Sequence, residues 1–377
     1  MKKINLLFCA FIFALAHTFA QNQTTVVDTL LSGNFRRDYR LYIPKNYNSA
    51  IPSSLVIDLH GYTSDAMQEE VYSNFKTIAD TANFLVVYPN GTFLGGTDRF
   101  WNAGLTTSPS FANDVLFISD LISHLLTRYS IDASRVYACG MSNGGFMSHT
   151  LACALNNKIA AIASVTGSMF TAQFNNCNPG RAVPVMQIHG TADKTVPYTG
   201  NSSMIPIDSL VKFWVQKNKC DSNPKTDDVP DINKADSCTA VHYLYKNSLQ
   251  DVSCEFYKII GGGHTWPGAP VKIGVTNEDF NASEKIWLFF RKYRLNDIAG
   301  VSTIPSYADI QMYPNPCTDL LTLEGETIRT VVIVDLAGKV VLSTSNKQIN
   351  VSSLPQGIYT VTVISEGGQI IKKLVKL

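Results

Sequence analysis

The sequence predicts an α/β fold with a mostly parallel central sheet, followed by a small all-β, sandwich-like C-terminal domain. Three observations carry this. Short apolar, β-branched runs alternate with longer amphipathic segments through most of the chain, the pattern of βαβ units. The runs Leu55–Leu59 and Val185–Ile188 show no polar alternation beyond Asp58 and Gln187, as expected of strands covered on both faces. Past residue 294 the helical periodicity vanishes and only short strand-like runs remain.

The chain opens with Lys2 and Lys3, an apolar stretch that includes Ala10–Ala16, and small residues ending at Ala20 before Gln21-Asn22-Gln23. A basic start, a short apolar run and a small-residue cleavage point read as a secretory signal peptide over residues 1–20. Its apolar run is shorter than the ~20 residues that span a bilayer, so no stable membrane insertion is expected. Export makes disulfides permissible. Loss of this segment leaves Cys139, Cys153, Cys177, Cys220, Cys238, Cys254 and Cys317, an odd set without CxxC spacing. At least one thiol must stay free, and Cys139, in an apolar run, is expected to be buried.

Residues 21–293 hold the alternating pattern. Strands are read at Arg40–Ile43, Ser54–Leu59, Phe84–Tyr88, Val136–Cys139, Ala161–Val165, Val183–Ile188 and Cys254–Ile260. Helices are read at Val71–Thr81, Asp114–Tyr129, Gly144–Leu155, Ile207–Lys217 and Asn281–Tyr293. In Asp114–Tyr129 the apolar residues Val115, Ile118, Leu121, Ile122, Leu125 and Leu126 recur at helical spacing, with Asn113 or Asp114 as N-cap. Residues 294–310, rich in Gly, Ser, Thr, Pro and Asn, read as a linker. Residues 311–377 then carry strand-like runs at Asp319–Leu323, Thr330–Asp335, Lys339–Thr344, Gln348–Val351, Gly357–Ile364 and Gln369–Val375.

Composition excludes some functions. The 377 residues carry 31 Lys+Arg against 30 Asp+Glu, a formal charge of +1 that becomes −1 without Lys2 and Lys3. No basic face for nucleic acid follows from that balance. The histidines are scattered, with no HExxH or paired Cys/His spacing, and no phosphate loop or dinucleotide fingerprint occurs. Neither a metal nor a cofactor is expected.

The strongest chemical signal is Gly140-Met141-Ser142-Asn143-Gly144, a G-x-S-x-G sequence between a strand and a helix. That context is a nucleophile elbow, with Ser142 as nucleophile. A serine hydroxyl needs a general base. His264, in Gly261-Gly262-Gly263-His264-Thr265-Trp266-Pro267-Gly268 after the last strand read, is the first choice, with His242 as the competitor. The acid should lie between residues 142 and 264. Asp193 follows the strand Val183–Ile188, on the same sheet edge, and would orient the imidazole. Asp208, Asp221, Asp227, Asp228, Asp231 and Asp236 also fall in the interval. The backbone N–H groups of Asn143 and Tyr62 would form the oxyanion hole, and His60 would brace the Tyr62 loop. Trp266 and Trp101 are expected to contact substrate.

Taken together, these motifs resemble the secreted polyhydroxybutyrate depolymerase-like esterases, which overlap feruloyl and acetylxylan esterases of the α/β-hydrolase superfamily. The resemblance rests on Leu59–Thr63, Val87-Tyr88-Pro89-Asn90-Gly91, Gly140–Gly145 continuing to Cys153, His189–Tyr198 and Gly261–Gly268, in matching order over about residues 26–293. It implies the same triad, Ser142, Asp193 and His264, and a Cys153–Cys177 disulfide. The polar insert Cys220–Cys238 departs from the family's compact pattern and leaves the pairing of Cys220, Cys238 and Cys254 open.

The C-terminal module resembles the type A sorting domain of the type IX secretion system. Met312–Pro316, Val334–Lys339, Leu354–Tyr359 and the basic end Lys372–Lys376 carry that likeness. It implies secretion or surface display, with the secretion machinery as partner. With Tyr313 and Tyr359 as its only aromatics, the module offers no platform for carbohydrate.

The expectation is therefore a secreted serine carboxylester hydrolase. Plant cell-wall esters, feruloyl or acetyl groups on xylan, come first and short-chain polyester second. A peptidase, or a non-catalytic surface binding protein on a hydrolase scaffold, is the remote alternative.

Overall fold

The computed structural model describes residues 24–93, 96–104, 112–247, 249–295, 311–324, 328–335, 340–365 and 368–377. The expected signal peptide and most of the expected linker lie outside the described residues, as does the turn at 336–339. The chain divides into two units, Met1–Gly300 and Val301–Leu377.

The strands of the first unit are β1 Thr24–Ser32, β2 Phe35–Ile43, β3 Ser53–Leu59, β4 Phe84–Pro89, β5 Thr92–Phe93, β6 Arg99–Phe100, β7 Ile131–Met141, β8 Ala161–Val165, β9 Val185–Gly190, β10 Lys225–Asp228, β11 Thr239–Asn247 and β12 Val252–Ile260. Ten of them form one sheet in the order β1-β2-β4-β3-β7-β8-β9-β12-β11-β10. The run from β4 to β12 is parallel throughout. Antiparallel β1–β2 and β10–β11 flank it. Every residue of β3, β4, β8 and β9 is buried, which accounts for their missing polar alternation.

The helices are α1 Ala66–Tyr72, α2 Lys76–Ala82, α3 Asp114–Arg128, α4 Asn143–Ala154, α5 Thr171–Asn176, α6 Ile207–Lys217 and α7 Ala282–Phe290. Alternate residues of β3 feed two cores. Leu55, Ile57 and Leu59 pack with α3, α4 and α6 through Phe117, Leu121, Phe146, Leu151, Leu210 and Trp214. Val56 packs with α2 and α7 through Ala79, Ile286 and Phe290. Asn113 caps α3, its side chain accepting the Leu116 N–H at 3.0 Å. The helix expected over Val71–Thr81 is two short helices. Asn74 breaks it at φ +52°, a left-handed conformation that ends one helix and starts another. Strands β1, β5, β6 and β10, helix α5 and, in the second unit, Gln311–Tyr313 lie outside the elements expected from the sequence, while β11 contains the strand-like run expected at Val241–Tyr245.

A buried ion pair ties β2 to α3. Arg37 Nη2 lies 2.7 Å from Asp114 Oδ1, with side-chain exposures of 2% and 0%. Arg37 also donates to the Asn90 carbonyl at 2.9 Å, and its guanidinium lies 3.9 Å from the Phe117 ring centre. Asp114 also accepts the Asn102 N–H at 2.7 Å.

A chain of buried hydrogen bonds runs through β9 by way of Gln187 and His189. Trp214 Nε1 donates to His149 Nδ1 at 3.1 Å, so His149 carries its proton on Nε2, which meets Gln187 Oε1 at 3.1 Å. Gln187 Nε2 donates to His189 Nδ1 at 3.2 Å, and His189 Nε2 donates to the Val196 carbonyl at 2.9 Å. Each ring donates once and accepts once, which only a neutral imidazole can do. Burial lowers His149 and His189 to about 4.

The second unit has β13 Gln311–Tyr313, β14 Leu320–Glu324, β15 Ile328–Val334, β16 Val340–Thr344, β17 Gln348–Asn350, β18 Gly357–Ser365 and β19 Gly368–Lys376. They form two antiparallel sheets, β13-β14-β17 and β16-β15-β18-β19. Alternate residues, Leu321 and Leu323 on β14 and Val331 and Ile333 on β15, enter one core with Val361, Val363 and Leu374.

Two outcomes follow from the buried charges. Asp114→Ala leaves the Arg37 charge buried and unpaired and is expected to destabilise the fold by about 3–5 kcal/mol. Pairing it with Arg37→Met should restore much of that loss, as read by urea unfolding. Burial also lowers His60 to about 4. His60, His149 and His189 should therefore show no ring titration by NMR between about pH 7.5 and 5. The unfolded chain protonates first, near 6.5, so each ring withdraws stability as pH falls from 6.5 toward 4.

Candidate active site

Ser142 sits between β7 and α4 at φ +52°, ψ −117°, a strained conformation for a residue with a side chain. The turn is possible because its neighbours are glycines. A Cβ on Gly140 or Gly144 would collide with the Leu59 carbonyl oxygen, and one on Gly145 would lie 2.7 Å from Ser164 Oγ. Strand and helix thus close on β3 and β8 at contact distance. The Ser142 N–H donates to the Val165 carbonyl at 2.8 Å, which fixes the turn to β8. Asn143 begins α4, so its N–H has no acceptor within the helix.

Two loops at neighbouring strand ends bring Asp193 and His264 together. Parallel β9 and β12 pair side by side, and the chain leaves both at the same edge. Above them the loops lie backbone on backbone. The Thr191 N–H donates to the Ile259 carbonyl at 2.8 Å, the Ala192 N–H to the Gly262 carbonyl at 2.9 Å, and the Gly261 N–H to Thr191 Oγ1 at 2.9 Å. A Cβ on Gly190 would strike the Gly262 carbonyl. In this setting His264 Nδ1 lies 2.7 Å from Asp193 Oδ2. Asp193 Oδ1 accepts the N–H groups of Thr195 at 2.8 Å and Val196 at 2.9 Å. Burial pushes the Asp193 carboxyl up, but the His264 hydrogen bond and charge and the Val196 N–H outweigh it, so it stays below its ordinary value. An ionised Asp193 only accepts, so the His264 proton stands on Nδ1 and Nε2 is left as a base.

His189 Nε2 also approaches Asp193 Oδ2, at 3.4 Å. Its proton goes to the Val196 carbonyl, so His189 supports the Asp193 loop rather than the reacting atoms. Sequence reasoning missed this support, although His189 heads the same segment. His242 lies elsewhere, on β11, with Nε2 3.1 Å from Glu255 Oε2 across the strand pair.

The loop after β3 carries Tyr62. His60 Nε2 accepts the Gly91 N–H at 2.9 Å, so its Nδ1 donates to the Gly61 carbonyl at 2.7 Å. His60 is fully buried and braces the loop from below. Thr63 adopts φ +68°, and its N–H donates to the Arg99 carbonyl at 3.0 Å.

Both tryptophans expected at the substrate are instead buried, and neither lines the cavity beside Ser142. Trp101 is 0% exposed and donates Nε1 to the His60 carbonyl at 3.0 Å. Its backbone grips the Asn143 amide at two points, with N–H to Oδ1 at 2.6 Å and Nδ2 to the carbonyl at 3.0 Å. Trp266 is 1% exposed, donates its N–H to Tyr72 Oη at 3.0 Å and its Nε1 to Ser283 Oγ at 3.1 Å, and packs edge-on against Phe75. Their large apolar faces belong to the core, which corrects the expectation of substrate contact.

A cavity of about 540 Å³ opens beside Ser142 and His264, with Gly61 and Tyr62 on its wall and Met67, Val71, Val271 and Ile273 among its apolar lining. Cys153 and Cys177 form a disulfide that joins the end of α4 to the end of α5. Cys139, Cys220, Cys238, Cys254 and Cys317 are free thiols, and Cys139 is buried. Among the described residues no group of three or more His, Cys, Asp or Glu could hold a metal ion.

Residues 48–229 match the phospholipase/carboxylesterase family, and residues 311–377 match the secretion system C-terminal sorting domain. Over 236 residues the chain is 28% identical to the bifunctional acetylxylan esterase/xylanase XynS20E of Neocallimastix patriciarum, spanning 63% of this chain and 32% of that protein. Over 232 residues it is 28% identical to feruloyl esterase B of Piromyces equi, spanning 59% of this chain and 41% of that one. The chain thus spans well under half the length of either relative. In fold it is similar to an acetyl xylan esterase from Aspergillus awamori, with a TM-score of 0.50 and 18% identity over 71% of this chain and 99% of that structure. The fold is therefore α/β-hydrolase-like, with a likeness to the phospholipase/carboxylesterase family over residues 48–229 and to the secretion system C-terminal sorting domain over residues 311–377.

Proposed function

We propose that this chain is a secreted serine carboxylester hydrolase with Ser142 as nucleophile, His264 as base and Asp193 as orienting acid. The hydrogen bond from His264 to Asp193, 2.7 Å long and beside the strained Ser142 on one cavity, carries this reading. Ser142 Oγ attacks the ester carbonyl while His264 Nε2 takes its proton. The N–H groups of Asn143 and Tyr62 stabilise the oxyanion. His264 then protonates the departing alcohol, leaving an acyl-enzyme. Water, deprotonated by the same imidazole, releases the acid and restores the serine.

Cell-wall esters are the first substrate choice. The cavity, far larger than an acetyl group needs, favours a feruloyl-sized group over acetyl. Polyester is the second reading, favoured by an exposed apolar rim of Met67, Val71 and Ile273 at 56%, 55% and 54%. Export is proposed to run through the N-terminal signal and then type IX secretion machinery that reads the C-terminal domain.

Ser142→Ala and Asp193→Asn are each expected to lower kcat on p-nitrophenyl acetate by about 10⁴-fold or more. Unchanged hydrolysis by Ser142→Ala would falsify the assignment. Methyl ferulate, acetylated xylan and a polyhydroxybutyrate film separate the substrates, and clearing of the film with ferulate untouched reverses their order.

A further inference from the structure

Two free thiols meet where α6 ends over the sheet. Asn218 caps α6 and pins it to the chain entering β9 and to the end of β11. Asn218 Oδ1 accepts the Val183 N–H at 2.8 Å, its carbonyl accepts Asn247 Nδ2 at 2.8 Å, and its Nδ2 donates to Cys254 Sγ at 3.1 Å. Cys220 follows two residues later, with its N–H donating to the Val215 carbonyl at 2.9 Å. Its sulfur turns toward β12. It lies 3.8 Å from the Val252 carbonyl and accepts hydrogen bonds from the Cys254 thiol and the Cys254 N–H.

The other free thiols lie elsewhere. Cys139 and Cys238 belong to the core on the opposite face of the sheet, Cys139 facing Asp58 at 3.5 Å and Cys238 facing Asp236 at 3.3 Å. Cys317 lies in the core of the second unit. Among the described free thiols, only Cys220 shares the α6-side core with Cys254. The two sulfurs are unequal. Cys220 is half-buried, and the Cys254 thiol hydrogen bond holds it below its ordinary value against the effect of burial. Cys254 is 2% exposed, and burial pushes it well above that value. Cys220 therefore carries more of the reactive thiolate and is the sulfur that a reagent can reach.

We propose that Cys220 and Cys254 are a disulfide-forming site, with Cys220 as the attacking thiol and Cys254 as the resolving one. The oxidant is an external disulfide. The Cys220 thiolate attacks one of its sulfurs, a mixed disulfide forms, and the first external thiol leaves with the Cys220 proton. The Cys254 sulfur then attacks the Cys220 sulfur, the protein disulfide closes, and the second external thiol leaves with the Cys254 proton. Two protein thiols are oxidised and one external disulfide is reduced to two thiols. The new bond encloses residues 220–254, which carry β10 and β11, and ties the end of α6 to the strand that leads to His264. Its constraint falls on the unfolded chain, where that loop would otherwise be open. Cys238 stays a thiol.

The test uses the full chain, folded, treated with dithiothreitol, desalted and exposed to oxidised glutathione. Remaining thiols are blocked with iodoacetamide, and the chain is digested without reductant for mass spectrometry. In most chains alkylation at Cys220 and Cys254 should be lost and a peptide linked through them should appear, while Cys139, Cys238 and Cys317 stay alkylated. Cys254→Ala should trap one glutathione on Cys220, and Cys220→Ala should leave Cys254 unmodified. A wild type whose Cys220 and Cys254 are still alkylated as thiols overturns the site, as does a bridge from either one to Cys238. A Cys254→Ala chain without glutathione on Cys220, or a Cys220→Ala chain with glutathione on Cys254, overturns the order of attack. The inference stands apart from the esterase reading, because mass and not turnover reads it.

Discussion

The site depends on one close approach, that of the start of α4 to the Leu59 carbonyl at the end of β3. Gly140 and Gly144 both lean on that single oxygen. With any side chain at either position, α4 would have to move off the sheet and Ser142 would lose its conformation. The strain at Ser142 is therefore held from outside, by β3 below, by β8 through the Val165 carbonyl, and by the Trp101 backbone gripping Asn143. The serine, the free N–H of Asn143 and the Tyr62 loop share these anchors, since His60 receives Trp101 on its carbonyl and supports Gly61 with its ring. Position at the proposed nucleophile and position at the proposed oxyanion site are set by the same few contacts.

The other half of the site is held by neutral polar groups. The hydrogen-bonded series from Trp214 to the Val196 carbonyl ends under the loop whose N–H groups hold Asp193. Because its histidines stay uncharged, the field at Asp193 comes chiefly from His264 and backbone dipoles. A fixed, uncharged scaffold under one ionised carboxylate suits the base role proposed for His264, which would gain and lose a proton without its surroundings rearranging.

Much of this was legible in the sequence because it is written in local punctuation. Gly140-Met141-Ser142-Asn143-Gly144 lies between a clear strand and a clear helix, and the segments around Asp193 and His264 follow strands whose ends could be read. What stayed hidden depends on partners distant in the chain. Trp266 is buried by Tyr72 and Ser283, 194 and 17 residues away, and no periodicity announces such packing. Trp101 serves through its backbone, which its side-chain chemistry does not foretell. The helix drawn over Val71–Thr81 overran Asn74 because the apolar pattern continues across a residue whose φ is positive.

The polar insert between Cys220 and Cys238 carries none of the proposed triad residues, yet it gives the sheet its margin. Its strand, Lys225–Asp228, is exposed at every position and pairs along β11, covering the backbone of a run that holds Val241, His242, Tyr243 and Leu244. Without it, that aromatic strand would present open N–H and C=O groups, a template for another chain. The strand that takes its place at the border is four residues long and mostly charged. Copies of the protein that meet edge to edge therefore find a short hydrated fringe where a sticky β-surface would otherwise lie, and the cost of a ten-stranded open sheet in a crowded setting is contained by residues with no part in the chemistry.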